Sequence, residues 1–331
     1  MKRSILLLLV LLASITVQAS TPNYHVIRKI HLGGDGFWDY LAVSDSTRQL
    51  FVSHATHVTV LDLASGRVVG DIADTPGVHG IAFAPKLGRG FISCGRTDVV
   101  KIFDLKTLKV IGEVKTGKDP DSVMFDPATG HVFAMNGHSD SATVIDAANG
   151  KVVGTIALGG KPEEARTDGD GIVWINLEDK SEVVKVDSRK LTVLARYPLA
   201  PGEEPSGMTL VGHYVISVCH NKLMTILDAA SGKVIETLRI GGYVDGAGYD
   251  PATGMVFSSN GIGTLTIARQ ESPGKFAVVQ TVETEPGART MTIDPKTHDV
   301  YLSTGKLIMP KEKGGRYGVV KDSFGLLEVG P

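Results

Sequence analysis

Five Asp-bearing turns recur at nearly fixed distance along the chain. They lie in VTVLDLASGRVVGDI, VVKIFDLKTLKVIGEV, ATVIDAANGKVVGTI, EVVKVDSRKLTVLARY and MTILDAASGKVIETL. The turns place Asp62, Asp104, Asp146, Asp187 and Asp228 at spacings of 42, 42, 41 and 41 residues. A sixth segment, LTIARQESPGKFAVVQTV, continues the series with Ala268 in the Asp column. A period near 40 is the mark of a stacked supersecondary unit, which cannot bury its apolar faces alone. Inside each unit a second turn recurs, as FDPATGHVF, YDPATGMVF and IDPKTHDVY, with looser versions APKLGRGF and VSDSTRQLF. Asp-Pro opens such a turn, Gly or a polar residue closes it, and alternating apolar residues follow. Each unit therefore reads as four antiparallel strands, a to d, with the Asp-Pro turn between a and b. That unit is a propeller blade.

Strand a starts near Tyr40, Gly80, Ser122, Glu164, Gly207, Gly246 and Thr290, which makes seven blades. The seventh has strands for ARTMTID, DVYLSTG and FGLLEVG and then the chain ends. Its missing outer strand is supplied by NYHVIRKIHL, residues 23–32, so that the N-terminal strand closes the ring and removes exposed edges. The expected fold is all-β: a seven-bladed β-propeller of four-stranded antiparallel blades, one domain over residues 20–331. Thirty-nine glycines and the lack of any long helical periodicity agree with it.

The ends of strand b carry a resemblance to a known group. They read FAMN, VWIN, FSSN and YLST, ending at Asn136, Asn176, Asn260 and Thr304. These look like variants of the Tyr-Val-Thr-Asn signature of the YVTN-repeat propellers, which include the YncE-like proteins. The first, second and fifth blades depart from it with FVSH, FISC and ISVC, and the WD-repeat signature is absent. The resemblance covers nearly all of residues 20–331 and implies a fold rather than a reaction.

The N-terminus reads as an export signal over residues 1–19. Lys2 and Arg3 precede an apolar run from Ile5 to Leu12, and Val17-Gln18-Ala19 is a small-residue cleavage pattern. That run is too short to span a bilayer comfortably and no second such run exists, so a periplasmic or secreted protein with no integral membrane segment after cleavage is expected, and a monomer. A formal net charge of −2 gives no overall basic field, so a nucleic-acid partner is not favoured. Cys94 and Cys219 stand three blades apart, beyond disulfide reach, and are expected to be free and buried thiols. No CxxCH occurs, which excludes covalent haem. A GxSxG elbow, a P-loop and a strand-to-helix GxGxxG are likewise missing.

In a propeller the d–a connections and the b–c loops emerge on one face, at the mouth of the central channel. The d–a connections supply Asp39, His79, Asp121, Glu163, Ser206, Asp245 and Arg289, and the b–c loops add His54, His57 and His220. The expected ligand site is this face, with Asp39, His54, His79, Asp121, Glu163, His220, Asp245 and Arg289 as its candidates. A divalent metal is the candidate cofactor, on Asp39, His79, Asp121 and Glu163: calcium if oxygens alone serve, zinc if imidazole joins them. The alternative is that loop residues are polar because they face water, with Asp245 and Arg289 a plain ion pair. His54 and His57 flank a turn, not a helical i, i+4 pair, so they do not match a zincin clamp. An insertion over residues 306–323 breaks the regularity of blade seven and is either a lid or a surface loop. Two functions follow. The favoured one is a binding or scaffold protein using its top face for a small ligand, metal, protein or peptide. The other is a metal-dependent hydrolase of the lactonase type with its site at the channel mouth.

Overall fold

The computed structural model describes residues 23–34, 36–308 and 318–331. The expected leader, residues 1–19, and the middle of the 306–323 insertion lie outside the described residues. Seven four-stranded antiparallel sheets form, each in the order a-b-c-d. Blade three shows the pattern: Pro120–Asp126, His131–Asn136, Ser141–Asp146 and Val152–Ala157. In blade seven the N-terminal strand His25–His31 pairs with the C-terminal strand Gly325–Gly330, with His25 opposite Gly330 and His31 opposite Gly325. That blade has Met291–Ile293 innermost and His25–His31 outermost, so the ring closes as expected. Among the described residues, no helix is long and apolar enough to cross a membrane.

Burial follows position in the blade. Strand b of blade three is buried from Val132 through Asn136, because both of its faces meet neighbouring blades. Strand d alternates instead, and Val152 and Val153 stand exposed at the perimeter. The core is a set of slabs between adjacent sheets. One slab joins Phe133, Val144 and Ile156 of blade three to Val173, Ile175 and Val184 of blade four. Another joins Phe51 and Val60 of blade one to Ile92 and Phe103 of blade two, with the Phe51 and Phe103 rings 5.6 Å apart. Each such side chain removed from water contributes about 1.5–3 kcal/mol. Where strands a converge on the axis there is no room for side chains. A Cβ on Gly207 would lie 2.7 Å from the Ala247 nitrogen, and one on Gly80 would lie 2.7 Å from the Val123 nitrogen.

The Asp-Pro turns lock neighbouring blades on the face away from the mouth. Thr167 of blade four donates to Asp126 Oδ1 of blade three at 2.8 Å. His298 Nδ1 of blade seven lies 2.8 Å from Asp250 of blade six. Arg48 of blade one makes a two-pronged contact with Asp294 of blade seven, at 2.7 and 2.5 Å, across the seam where the ring closes. Cys94 and Cys219 are free and buried, and burial pushes both thiols up to about 12.

Candidate functional site

The mouth residues are positioned by one device used five times. The a–b register slips between Val78 and Ile81, Pro120 and Val123, Pro162 and Ala165, Pro205 and Met208, and Val244 and Gly246. These β-bulges free the intervening residues from the ladder and re-aim their side chains. His79, Asp121, Glu163, Glu164, Ser206 and Asp245 all sit in them. A polar group on the preceding blade's strand b ties down two of these bulges and, in blade seven, the carbonyl of Arg289. Ser93 donates to the Asp121 carbonyl, Asn176 to those of Ser206 (2.7 Å) and Gly207 (3.2 Å), and Ser259 to that of Arg289. Thr290 closes the circle by donating to the Asp39 carbonyl at 2.7 Å.

A cavity of about 220 Å³ opens at the mouth, lined by Asp39, Asp121, Glu163, Asp245, Lys161, Arg289, Glu178, His220, Ser206 and Tyr40. Three charge clusters surround it. In the first, His79 Nδ1 lies 2.6 Å from Asp39 Oδ2 and 3.7 Å from Asp121 Oδ1. In the second, Lys161 bridges Glu163, at 2.7 Å, and Glu178. His220 is at the edge of this cluster, its Nδ1 4.0 Å from Glu178. In the third, Arg289 Nε donates to Asp245 Oδ2 at 2.6 Å, and Ser206 donates to Asp245 Oδ1 at 2.7 Å.

Crowded acids inside protein hold their protons. Burial and the Asp39 charge raise Asp121 to about 7, against the opposing pull of His79. Burial and the Asp121 charge raise Glu163 to about 9, although Lys161 acts the other way. Burial pulls His79 down, but the hydrogen bond and charge of Asp39, with Asp121 and Asp119 behind, raise it to about 10. Below the mouth the channel holds Glu164, which accepts from the Met208 N–H at 2.6 Å and pairs with Arg166. Burial lifts it to about 7 despite Arg166.

Beside the mouth lies a larger cleft of about 680 Å³, with Arg289 in the wall between the two. Its lining is mainly apolar: Phe37 and Trp38 of blade one, Tyr243 and Ile262 of blade six, and Leu307 and Val319 from the roots of the insertion. Trp38 is 3% exposed, and its indole N–H donates to the Gly287 carbonyl at 3.2 Å. A Cβ on Gly305 would come within 2.9 Å of that ring, so glycine makes the space. Phe37, Ile262 and Tyr243 are 51%, 50% and 65% exposed. Tyr243 has the left-handed φ of 56° that Asp119 (53°) and Glu204 (52°) adopt at the same place in other blades. The loop conformation is therefore general, and only the side chain it presents is particular to blade six.

Seven of the eight expected site residues gather at the mouth, as lining groups or as direct partners of one. His54 does not. It is 4% exposed, its ring 4.3 Å from His57 and 4.5 Å from Phe324, and it lines neither cavity. Of the four expected metal ligands, Asp39, His79 and Asp121 present donor atoms within 4.8 Å of one another; Glu163 is outside that group and pairs with Lys161. Asn136 and Asn260 hold their own loops, donating to Ser141 and Thr143 and to Thr264 and Thr266. Lys161, Glu178 and the whole apolar cleft were missed from the sequence. A signal for two of them exists two residues before each d–a residue. That column reads Phe37, Gly77, Asp119, Lys161, Glu204, Tyr243 and Gly287, with aromatics in blades one and six alone.

The chain matches no protein-family profile and no curated protein. It does resemble solved propellers. The structure of RRP9 WD40 repeats superposes with a TM-score of 0.78 at 11% identity, covering 94% of this chain and 99% of that one. A chain of a Mitotic Checkpoint Complex gives 0.75 at 14% identity, covering 91% and 95%. A chain of Kuenenia stuttgartiensis Hydrazine Synthase gives 0.71 at 18% identity, covering 92% and 98%. Likeness at these identities shows the fold alone, here that of WD40-type propellers, without the WD signature in the sequence.

Proposed function

We propose that this chain is a binding propeller that captures a peptide segment of a protein partner on its mouth face. The observation that carries the reading is the apolar cleft, with Phe37, Tyr243 and Ile262 half or more exposed around it. Soluble surfaces seldom gather large apolar side chains into one concavity unless something docks there. The partner chemistry is set by charge. The neighbouring cavity presents Asp39, Asp121, Glu163, Asp245 and Glu178 against Lys161 and Arg289. A segment with an aromatic or long aliphatic anchor next to a Lys or Arg would fill the cleft and meet the acidic mouth. One propeller of the same fold sits in a Mitotic Checkpoint Complex, so the architecture is compatible with life in an assembly.

On its N-terminal leader and strand-b ends we further read the protein as exported, periplasmic or secreted, and as akin to the YVTN-repeat propellers. N-terminal sequencing of the mature protein beginning at Ser20 supports export; retention of Lys2 and Arg3 sinks it.

Panning a random peptide library against the folded protein tests the binding reading. Enrichment of an apolar anchor adjacent to Lys or Arg is expected, with capture lost at least tenfold in Tyr243→Asp. Absence of enrichment, or binders indifferent to Tyr243→Asp and Phe37→Ser, would overturn it.

A further inference from the structure

We infer that Asp39, His79 and Asp121 form a site for one divalent cation of borderline character, zinc or manganese, on the mouth side of blades one to three. The inference goes beyond the capture of a peptide and stands without it. Its first support is geometric. Donor atoms from the three side chains lie within 4.8 Å of one another, and they come from three different bulges or connections on a rigid ring. Nitrogen and oxygen ligands at about 2.0–2.2 Å from a tetrahedral zinc stand roughly 3.3 Å apart. The present separations, 2.6 Å for Asp39 to His79 and 3.7 Å for Asp121 to His79, bracket that value. Small side-chain rotations, one opening and one closing, would bring both to it.

The second support is an oxygen without a use. Among the described residues Asp121 Oδ1, itself shut off from solvent, has no hydrogen-bond partner, and it is the oxygen that faces His79 Nδ1. A buried acceptor left so costs free energy that a bound cation would recover.

The third support lies behind the ring. The Cβ position of Gly95 would be 2.9 Å from His79 Nε2 and 2.3 Å from an Asp119 carboxylate oxygen. Only a glycine leaves room there for the imidazole and the carboxylate together, so the space beside the ring is closed to any side chain, and the Asp119 charge acts on His79. One imidazole with two carboxylates suits zinc or manganese; calcium calls for six to eight oxygens.

Isothermal titration of chelator-treated protein with zinc chloride, and separately with manganese chloride, tests the site. One equivalent per chain is expected. Asp121→Asn and His79→Gln should each weaken binding at least tenfold, and Gly95→Ala should weaken it without replacing a ligand. Tyr243→Asp and Phe37→Ser should leave it unchanged, so loss of peptide capture and loss of metal are read separately. Circular dichroism confirms that each variant is folded. A folded wild type that takes up neither ion stoichiometrically would overturn the proposal. So would Asp121→Asn and Gly95→Ala that both bind like wild type, or calcium bound as tightly as zinc.

Discussion

Asp126 and Asp294 at the a–b turns and Asp121, Glu163 and Glu164 at the mouth and channel are acids of the same repeating unit in different blades, yet their surroundings push them in opposite directions. At the turns, burial would raise Asp126 and Asp294, but hydrogen bonds outweigh it and hold both below the usual carboxylate range. Ser188, Thr129 and Thr167 act on Asp126; Arg48, the Lys296 N–H and Thr297 act on Asp294. At the mouth and in the channel, burial dominates and other acids crowd in, so the same chemistry is lifted to about 7 to 9. A carboxylate that donors surround locks blades together. One that is buried among other carboxylates is costly to ionise. What separates the two groups is whether enough donors surround the acid to outweigh its burial.

The contrast can be broken in three ways. The largest effect should come from Asp294→Ala, which leaves Arg48 at the seam of the ring with only the exposed Asp45 as its acidic partner. Losing one partner of a buried pair costs about 3 kcal/mol, the lower end applying because Arg48 is partly solvated. Urea unfolding measures it, and a loss no greater than that of an exposed turn variant would erase the distinction.

Next comes acidity. Asp294 has its native value depressed, so its stabilisation is present above the unfolded value near 4 and is lost as pH falls through the native one. Glu164 has its native value raised to about 7, so it works in reverse. Stability should fall as pH rises from about 4.5 through 7, by on the order of 3 kcal/mol. Glu164→Gln should flatten that slope in thermal midpoints recorded from pH 5 to pH 8. An unchanged slope would show that Arg166 fully compensates the buried charge.

The smallest effect belongs to the c–d turns. Asp104 accepts from Thr107 and Lys106, but does so in water. Asp104→Ala should move the thermal midpoint far less than Asp294→Ala, near the limit of calorimetry. A comparable drop would mean that a turn need not be buried to hold its blade.

What the sequence made legible follows from periodicity. The five spaced aspartates and the Asp-Pro turns count the blades, and the orphan strand at 23–32 closes them, because both signals are local and repeat. The mouth was legible as a position, since any d–a residue must come near the axis. Its chemistry was less so. That Asp39, His79 and Asp121 meet while His54 is packed under Phe324 depends on bulges and ring packing, which no single stretch encodes. The cleft escaped for a different reason. Phe37 and Tyr243 are far apart in the chain and become neighbours only because the propeller is circular. Reading the column two residues before each d–a residue would have set those two aromatics apart from the rest.

The slipped register at the start of strand a has a consequence for how such a ring can change. Residues 79, 121, 163, 206 and 245 contribute their side chains to the mouth without occupying a rung of the sheet. Their backbone carbonyls are held by a neighbouring blade wherever Ser93, Asn176 or Ser259 stands behind them or behind Arg289, whatever the side chain in front. The mouth therefore behaves as a keyboard fixed to a frame. Keys can be exchanged one at a time, as the run His, Asp, Glu, Ser, Asp already shows, while the frame keeps its tension. A propeller built this way can acquire a new specificity by a handful of substitutions and still fold as the same ring.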